Sequence, residues 1–196
     1  MKINIFGYIL IVAIMIFGAQ LILNSDAWNL ICINSDIDGN RYCVRDRSKL
    51  QLSADLLAQV SVNMSKVVEY CKQNYSDQNN VNRLVNNFNP KKIYETLPNS
   101  VHTAYSENKG EKLAFCLDTE RTDGKLIDLN TLTFVALHEL AHIATKSIGH
   151  TDEFWTNFKF LITVANKINV YSPVDYANKP HRYCGMDISD NPYFDY

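Results

Sequence analysis

Several features are absent from this sequence, and each absence excludes a class of protein. Lysine and arginine together number 19 against 21 aspartate and glutamate residues, so no basic surplus indicates binding to nucleic acid. There is no internal repeat and no low-complexity tract, which excludes repeat arrays and compositionally biased linkers. With 46% hydrophobic and 20% charged residues, the 196-residue chain has the composition of one folded domain with a short appendage.

Closely spaced cysteine pairs are also absent. The five cysteines form no C-x-x-C pair, so the sequence does not predict a zinc site built from cysteine thiolates. In an oxidising compartment four of them could form disulfides and one would remain free. In a reducing compartment all five would be free thiols, and the sequence leaves both alternatives open.

The N-terminal segment is strongly apolar. Residues 5–23 form a 19-residue run in which Gln20 is the only strongly polar residue, so we expect residues 1–23 to be a transmembrane anchor. A cleaved signal peptide is the alternative, although its apolar region is usually shorter. Lys2 precedes the run and no basic residue follows until Arg41, which favours a single-pass protein with its domain on the non-cytosolic side.

The remainder of the chain has the pattern of an α+β domain. Residues 24–48 are polar and rich in turn-forming residues, and they indicate a membrane-proximal linker before a domain that spans residues 49–196. Helical spacing of apolar residues predicts helices over 53–74 and 77–88. Short alternating runs on both sides of Asn108-Lys109-Gly110 predict a β-hairpin, and residues 126–129 a further short strand. The C-terminal residues from Pro173 are predicted to be irregular.

The motif that carries chemistry is His138-Glu139-Leu140-Ala141-His142, an H-E-x-x-H sequence inside an apolar stretch that begins near Asn130. Apolar residues on every side of this stretch predict a helix buried in the middle of the domain. Gly149 is suited to end that helix. Thr151 is suited to cap the following one, which is amphipathic.

Two histidines four residues apart lie one above the other on a helix, so His138 and His142 can share one metal ion. Glu139 is rotated by roughly 100° and can act as a general acid/base towards a metal-activated water instead of binding the metal. A catalytic zinc site needs a third protein ligand. His150 is the first candidate because it follows Gly149, where the chain can turn back, and His181 and Glu153 are the reserve candidates.

Taken together, H-E-L-A-H, then Gly149-His150, then Phe154-Trp155 resembles the WLM and SprT-like group of small zinc metallopeptidases. The resemblance implies a minimal zincin-like fold, Zn²⁺ held by His138, His142 and His150, and Glu139 as the general acid/base. The segment Tyr183-Cys184-Gly185-Met186 resembles the tail of predicted metallopeptidases encoded by large DNA viruses. From its place in that tail, Tyr183 is a candidate for the donor that stabilises an oxyanion.

The sequence therefore predicts a membrane-anchored zinc metallopeptidase that hydrolyses a protein or peptide substrate, with no nucleic-acid partner. The alternative is a non-catalytic membrane protein in which zinc only stabilises a peptidase-like scaffold. A third hypothesis is a viral structural protein that keeps the peptidase fold.

Overall fold

The computed structural model describes residues 4–23, 30–97, 99–121 and 124–195. Within them the chain is α+β, with helices and short strands in mixed order. In chain order these are α1 (Ile5–Leu23), β1 (Leu30–Asn34), β2 (Arg41–Arg45), α2 (Leu50–Asn74), α3 (Asn79–Asn87), β3 (Ile93–Glu95), β4 (Ala104–Glu107), β5 (Lys112–Phe115), α4 (Leu129–Ala144), α5 (Asp152–Lys167), β6 (His181–Tyr183), β7 (Met186–Ile188) and a 3₁₀ turn (Pro192–Phe194).

The main sheet has five strands in the order β1-β2-β3-β5-β4. The two pairs at its margins, β1 with β2 and β4 with β5, are antiparallel. The two inner pairings, β2 with β3 and β3 with β5, are parallel. Helices α2 and α3 connect β2 to β3, which is the kind of helical crossover that parallel neighbours require. β4 lies at one end of the sheet and pairs, among the described strands, with β5 alone.

The core lies between this sheet and the helices. Strand side chains such as Val44, Leu113 and Phe115 are fully buried. Ala114 lies between Leu113 and Phe115, so it faces the opposite side of the sheet, and it is also buried. α4 is the central helix, because it contacts α2, α3, α5 and β4. Its Leu132 and Leu140 are both fully buried, as the apolar pattern predicts for a helix surrounded by protein.

Several elements differ from the expectation. Part of the predicted 24–48 linker forms the β1–β2 hairpin and belongs to the main sheet. The predicted strand at 126–129 is a single bridge between Asp118 and Leu126. α4 ends at Ala144, and Gly149 lies in the loop that follows. The tail from Pro173 contains the β6–β7 hairpin and so is only partly irregular.

The predicted transmembrane anchor is wrong. No helix in the part of the chain that the structure describes combines the length and the apolarity needed to cross a membrane. The predictions of membrane attachment, a single-pass location and a non-cytosolic domain all depended on this anchor, and they are withdrawn with it.

The cysteines form two disulfides and one free thiol. Cys32 and Cys43 join β1 to β2 at directly opposite positions. Cys116, just after β5, is joined to Cys184 in the turn between β6 and β7. Cys71 is free and buried in α2. The structure therefore corresponds to the oxidised alternative, in which four of the five cysteines are paired.

Candidate metal centre

α4 carries the first two histidines on a rigid support. The carboxylate of its N-cap residue, Asp128, accepts hydrogen bonds from the backbone N–H of Thr131 at 2.9 Å and from its hydroxyl at 2.7 Å. This satisfies donors that the first helical turn leaves unpaired. Because α4 is packed on nearly every side, His138 and His142 point from a fixed helix towards a cleft beside β4.

The third histidine comes from the loop between α4 and α5. Gly149 has a φ angle of +84°, a left-handed conformation that glycine adopts without strain, and it turns the chain just before His150. The side chain of Thr151 then accepts the N–H of Phe154 and caps α5, as the sequence predicts. The short link between turn and cap places His150 over the end of α4.

The three imidazoles converge. The Nε2 atoms of His138 and His150 are 3.1 Å apart, and one ring nitrogen from each of His138, His142 and His150 lies within 4.8 Å of the other two. Two nitrogens that each bind one tetrahedral metal ion at about 2.1 Å are separated by about 3.4 Å. The arrangement is therefore compatible with three nitrogen ligands on one ion.

The ring of Phe154 packs against all three imidazole rings. The ring centroid of Phe154 lies 4.8 Å from that of His138, 4.4 Å from His142 and 4.6 Å from His150. Phe154 is fully buried. Its contacts restrict the rotamers of the histidines and exclude water from below the site, so only the cleft side remains open.

Burial dominates the electrostatics of the site. It lowers the pKa of His138 to about 3, helped by the neighbouring His142 and His150, and it lowers the pKa of His142 to about 4. Both rings are therefore neutral at pH 7, which is the form that binds metal. Burial raises the pKa of the Glu139 carboxyl to about 8. The cause of this shift is desolvation, because a buried carboxylate loses the hydration that stabilises its charge.

The cleft above the histidines has a volume of about 700 Å³. Three consecutive residues of β4, Ala104, Tyr105 and Ser106, line it. Successive side chains of a strand point to opposite faces, so a lining of three in a row means that the cleft runs along the edge of β4. The remaining lining residues are His102, Asn108, Lys109, His138, Glu139, His142, Ile148, Gly149 and His150.

Three of the other residues considered from the sequence lie outside the histidine cluster. Tyr183 is 2% exposed and its hydroxyl donates to the carbonyl of Thr103 at 3.2 Å. Burial, and then the charge of the Glu139 carboxylate, raise the pKa of Tyr183. His181 approaches the hydroxyl of Thr131 through Nδ1 at 3.0 Å. Glu153 pairs with an arginine of α3. Of the candidates for a third ligand, only His150 reaches His138 and His142.

A larger cleft of about 920 Å³ lies elsewhere, between α2, the β1–β2 turn and the end of α5. Its lining contains neither histidine nor cysteine, and its only carboxylates are those of Asp38 and Glu69. Because that lining contains no cluster of metal-binding side chains, size alone does not make it the chemical site.

The structure also brings to the site residues that the sequence motif did not indicate. His102, Ser106 and Lys109 come from the hairpin region far away in sequence, and the sequence motif contains Phe154 but predicts no contact between its ring and the histidines. The order of strands along the sheet is what places this hairpin beside α4, and no local pattern encodes that order.

Comparison with known proteins gives relatives of viral origin. The chain is 30% identical over 193 residues to an uncharacterized protein of Acanthamoeba polyphaga mimivirus, covering 96% of this chain and 95% of the relative. An uncharacterized protein of Invertebrate iridescent virus 3 is 36% identical over 104 residues, which is 52% of this chain and 58% of that protein. A third, from Invertebrate iridescent virus 6, is 34% identical over 68 residues, or 35% of this chain and 38% of that protein.

No family model matches the chain, and no solved structure is similar to it at a significant level. The similarity to the mimivirus protein extends over nearly the whole of both chains, so it covers the sheet, the helices and the histidine cluster together. The chain belongs to the same family of viral proteins as this mimivirus relative.

Proposed function

We propose that this viral protein is a zinc-dependent metallopeptidase of the WLM and SprT-like type. The observation that carries the proposal is the convergence of His138, His142 and His150 beside a buried Glu139 in an open cleft. Three nitrogen ligands with one side left open are the donor set of a catalytic zinc site, whereas structural zinc sites are closed by four protein ligands.

Each neighbouring group has a role in this proposal. Bound zinc would supply a Lewis acid that activates water at neutral pH and polarises the scissile carbonyl. Glu139 would accept a proton from the attacking water and donate it to the leaving amine, a role open to a buried carboxyl group next to His138. Phe154 keeps the histidines in place and water away from their lower side.

The edge of β4 supports a peptide as the substrate class. An unpaired strand edge presents N–H and C=O groups that can pair with an extended peptide. The cleft runs along the edge of β4 and contains Glu139, so a peptide added to that edge would pass the proposed catalytic group.

The test combines metal analysis with proteolysis, using the full chain. Wild type, Glu139→Gln and the control Glu69→Gln, which changes an exposed carboxylate of α2, are dialysed against zinc and assayed for bound metal and for cleavage of an unfolded protein such as casein. We expect about one zinc per chain in all three. Cleavage by Glu139→Gln should fall about 100-fold to 10,000-fold, because a positioned proton-transfer group contributes that much. Equal cleavage by Glu139→Gln and wild type would contradict the proposal.

A non-catalytic role for the metal is the second hypothesis. It is favoured by one observation: the three histidines belong to α4 and to the loop before α5, so a shared ion would fasten the two helices together. It predicts that zinc raises the midpoint of thermal unfolding while no substrate is cut by any form of the protein. Cleavage by the wild type that is lost in Glu139→Gln would exclude it.

A further inference from the structure

Lys109 occupies a fixed turn next to the histidine cluster. It lies between β4 and β5, where Asn108 and Lys109 have φ angles of +46° and +58° and Gly110 has +114°. A side chain on Gly110 would come within 2.5 Å of the carbonyl oxygen of Asn87 at the end of α3 and within 3.1 Å of Ile143 in α4. The turn is therefore pressed against two helices, which leaves little freedom for the backbone of Lys109.

The ammonium group of Lys109 has all three of its donors in use. Nζ donates to the carbonyl oxygens of His142 at 3.1 Å, Thr145 at 2.8 Å and Ser147 at 2.7 Å. The first two belong to the last turn and C-cap of α4, where carbonyls have no partner within the helix and a cation is favourable. The third belongs to the loop that leads to His150. The side chain of Lys109 thus joins His142, one of the three histidines of the cluster, to the loop that carries His150.

The same loop is also held from the opposite side. Arg83 of α3 donates from Nε to the carbonyl of Ala144 at 2.7 Å and pairs with Glu153 of α5 at 2.9 Å. Glu153 in turn accepts the backbone N–H groups of Lys146 at 3.1 Å and Ser147 at 3.2 Å. The loop is therefore fastened as far as Ser147, and only two exposed residues separate that point from His150.

We propose that Lys109 is a positioning residue for the metal site: it holds the loop after α4 so that His150 meets His138 and His142. The inference depends on the metal-binding part of the proposed function and on no catalytic step. A loop without this anchor samples more conformations, and fixing it when the metal binds then lowers the affinity.

The charge of Lys109 and its hydrogen bonds have opposite effects on the affinity for Zn²⁺, so a measurement can separate them. The ammonium group is a cation close to the site, so its removal would strengthen the binding of Zn²⁺ if electrostatics alone mattered. If the three carbonyl contacts matter more, its removal weakens binding. Lys146→Met is the matched control: Lys146 is an exposed lysine in the same loop, so the change removes the same charge and leaves the contacts of Lys109 in place.

The experiment measures the affinity of the full chain for Zn²⁺ by competition with a chelating dye at pH 7.5. We compare wild type, Lys109→Met, His150→Ala, the double variant of the last two, and Lys146→Met. Lys109→Met should weaken binding about 10-fold to 100-fold, the range found when groups that orient metal ligands are removed. Lys146→Met should stay within about twofold of wild type, since its side chain orients no ligand.

The double variant decides whether Lys109 acts through His150. In the His150→Ala background, Lys109→Met should change the affinity by less than about twofold, because the ligand that it positions is already missing. An equal loss in both backgrounds, or unchanged or tighter binding by Lys109→Met, would overturn the inference.

If Lys109→Met fails to fold, Lys109→Gln replaces it in the experiment, and the same criteria apply. Unfolding of both variants would also overturn the inference, because it would assign Lys109 to the fold as a whole. No substrate is involved, so an absence of peptidase activity leaves this result standing. Conversely, if Lys109→Met binds Zn²⁺ as tightly as wild type, the inference fails and the proposed peptidase function is unaffected. If the wild type binds no zinc, the proposed function itself is wrong.

Discussion

The two disulfides close loops of very different length, and their removal should therefore have different effects on stability. Cys116 and Cys184 are 68 residues apart, and they fasten the C-terminal hairpin to the end of β5. Cys32 and Cys43 are only 11 residues apart, on strands that already pair with each other. The perturbation is the replacement of each pair by alanine, which leaves no buried hydroxyl behind.

The expected magnitudes follow from the entropy that each crosslink removes from the unfolded chain. With the chain-entropy relation, a 68-residue loop corresponds to about 4 kcal/mol at 25 °C and an 11-residue loop to about 3 kcal/mol. Cys116 and Cys184 are also 0% and 4% exposed, so their truncation removes buried contacts as well. Loss of the long-range pair should therefore be the more destabilising of the two by at least about 1 kcal/mol.

The assay is equilibrium unfolding in urea of wild type and both double-alanine variants, followed by tryptophan fluorescence and by far-UV circular dichroism. Coincident transitions from the two probes would justify a two-state analysis. The reasoning is refuted if the Cys32/Cys43 variant is the less stable of the two, or if the two variants are equally stable. Either result would mean that loop length does not control the contribution of these bonds.

Two further predictions concern buried titratable groups. Burial raises the pKa of the Cys71 thiol to about 12, so alkylation at pH 8 should leave the native protein unmodified. The same reagent should label one thiol in urea and five thiols after reduction in urea. Fast labelling of the native protein would contradict this prediction. Burial also raises the pKa of Tyr42 to about 12 and raises those of Tyr171, Tyr176 and Tyr183. The folded state therefore keeps protons that the unfolded chain loses above about pH 10, so stability is complete below that pH and falls as the pH rises further. Absorbance at 295 nm should show these four of the 11 tyrosines ionising only with unfolding, and a single titration of all 11 near pH 10 in a folded protein would disprove it.

The parts of the site that local sequence encodes were predictable. The spacing of His138 and His142 on an apolar helix, the cap at Thr151 and the turn before His150 are all properties of one continuous segment. The hairpin turn at Asn108-Lys109-Gly110 is likewise confirmed, since it depends on residues that accept positive φ angles.

The parts that depend on distant contacts were not predictable. β1 and β2 have five residues each and lie in the segment that the sequence predicts to be a linker. Pairing with neighbouring strands and a disulfide stabilise them, and neither is encoded in a long alternating pattern. The tail motif that contains Tyr183 does not encode where its side chain lies. The Cys116–Cys184 bond and the turn at Cys184, with its φ angle of +49°, place that tyrosine inside the protein. Lys109 has no local signal, because its partners are 33 to 38 residues further along the chain.

The close sequence spacing of the three histidines has a consequence for the order of folding. His138 and His150 are only 12 residues apart, within a pair of helices joined by a short loop, whereas the sheet that surrounds them requires parallel pairings across long crossovers. Contacts between near residues form early because their loop-closure entropy is small, and parallel strands separated by helices associate late. A metal ion could therefore bind to the α4–α5 hairpin while the sheet is still open, and the hairpin would then act as a preassembled nucleus onto which β4 and the tail condense.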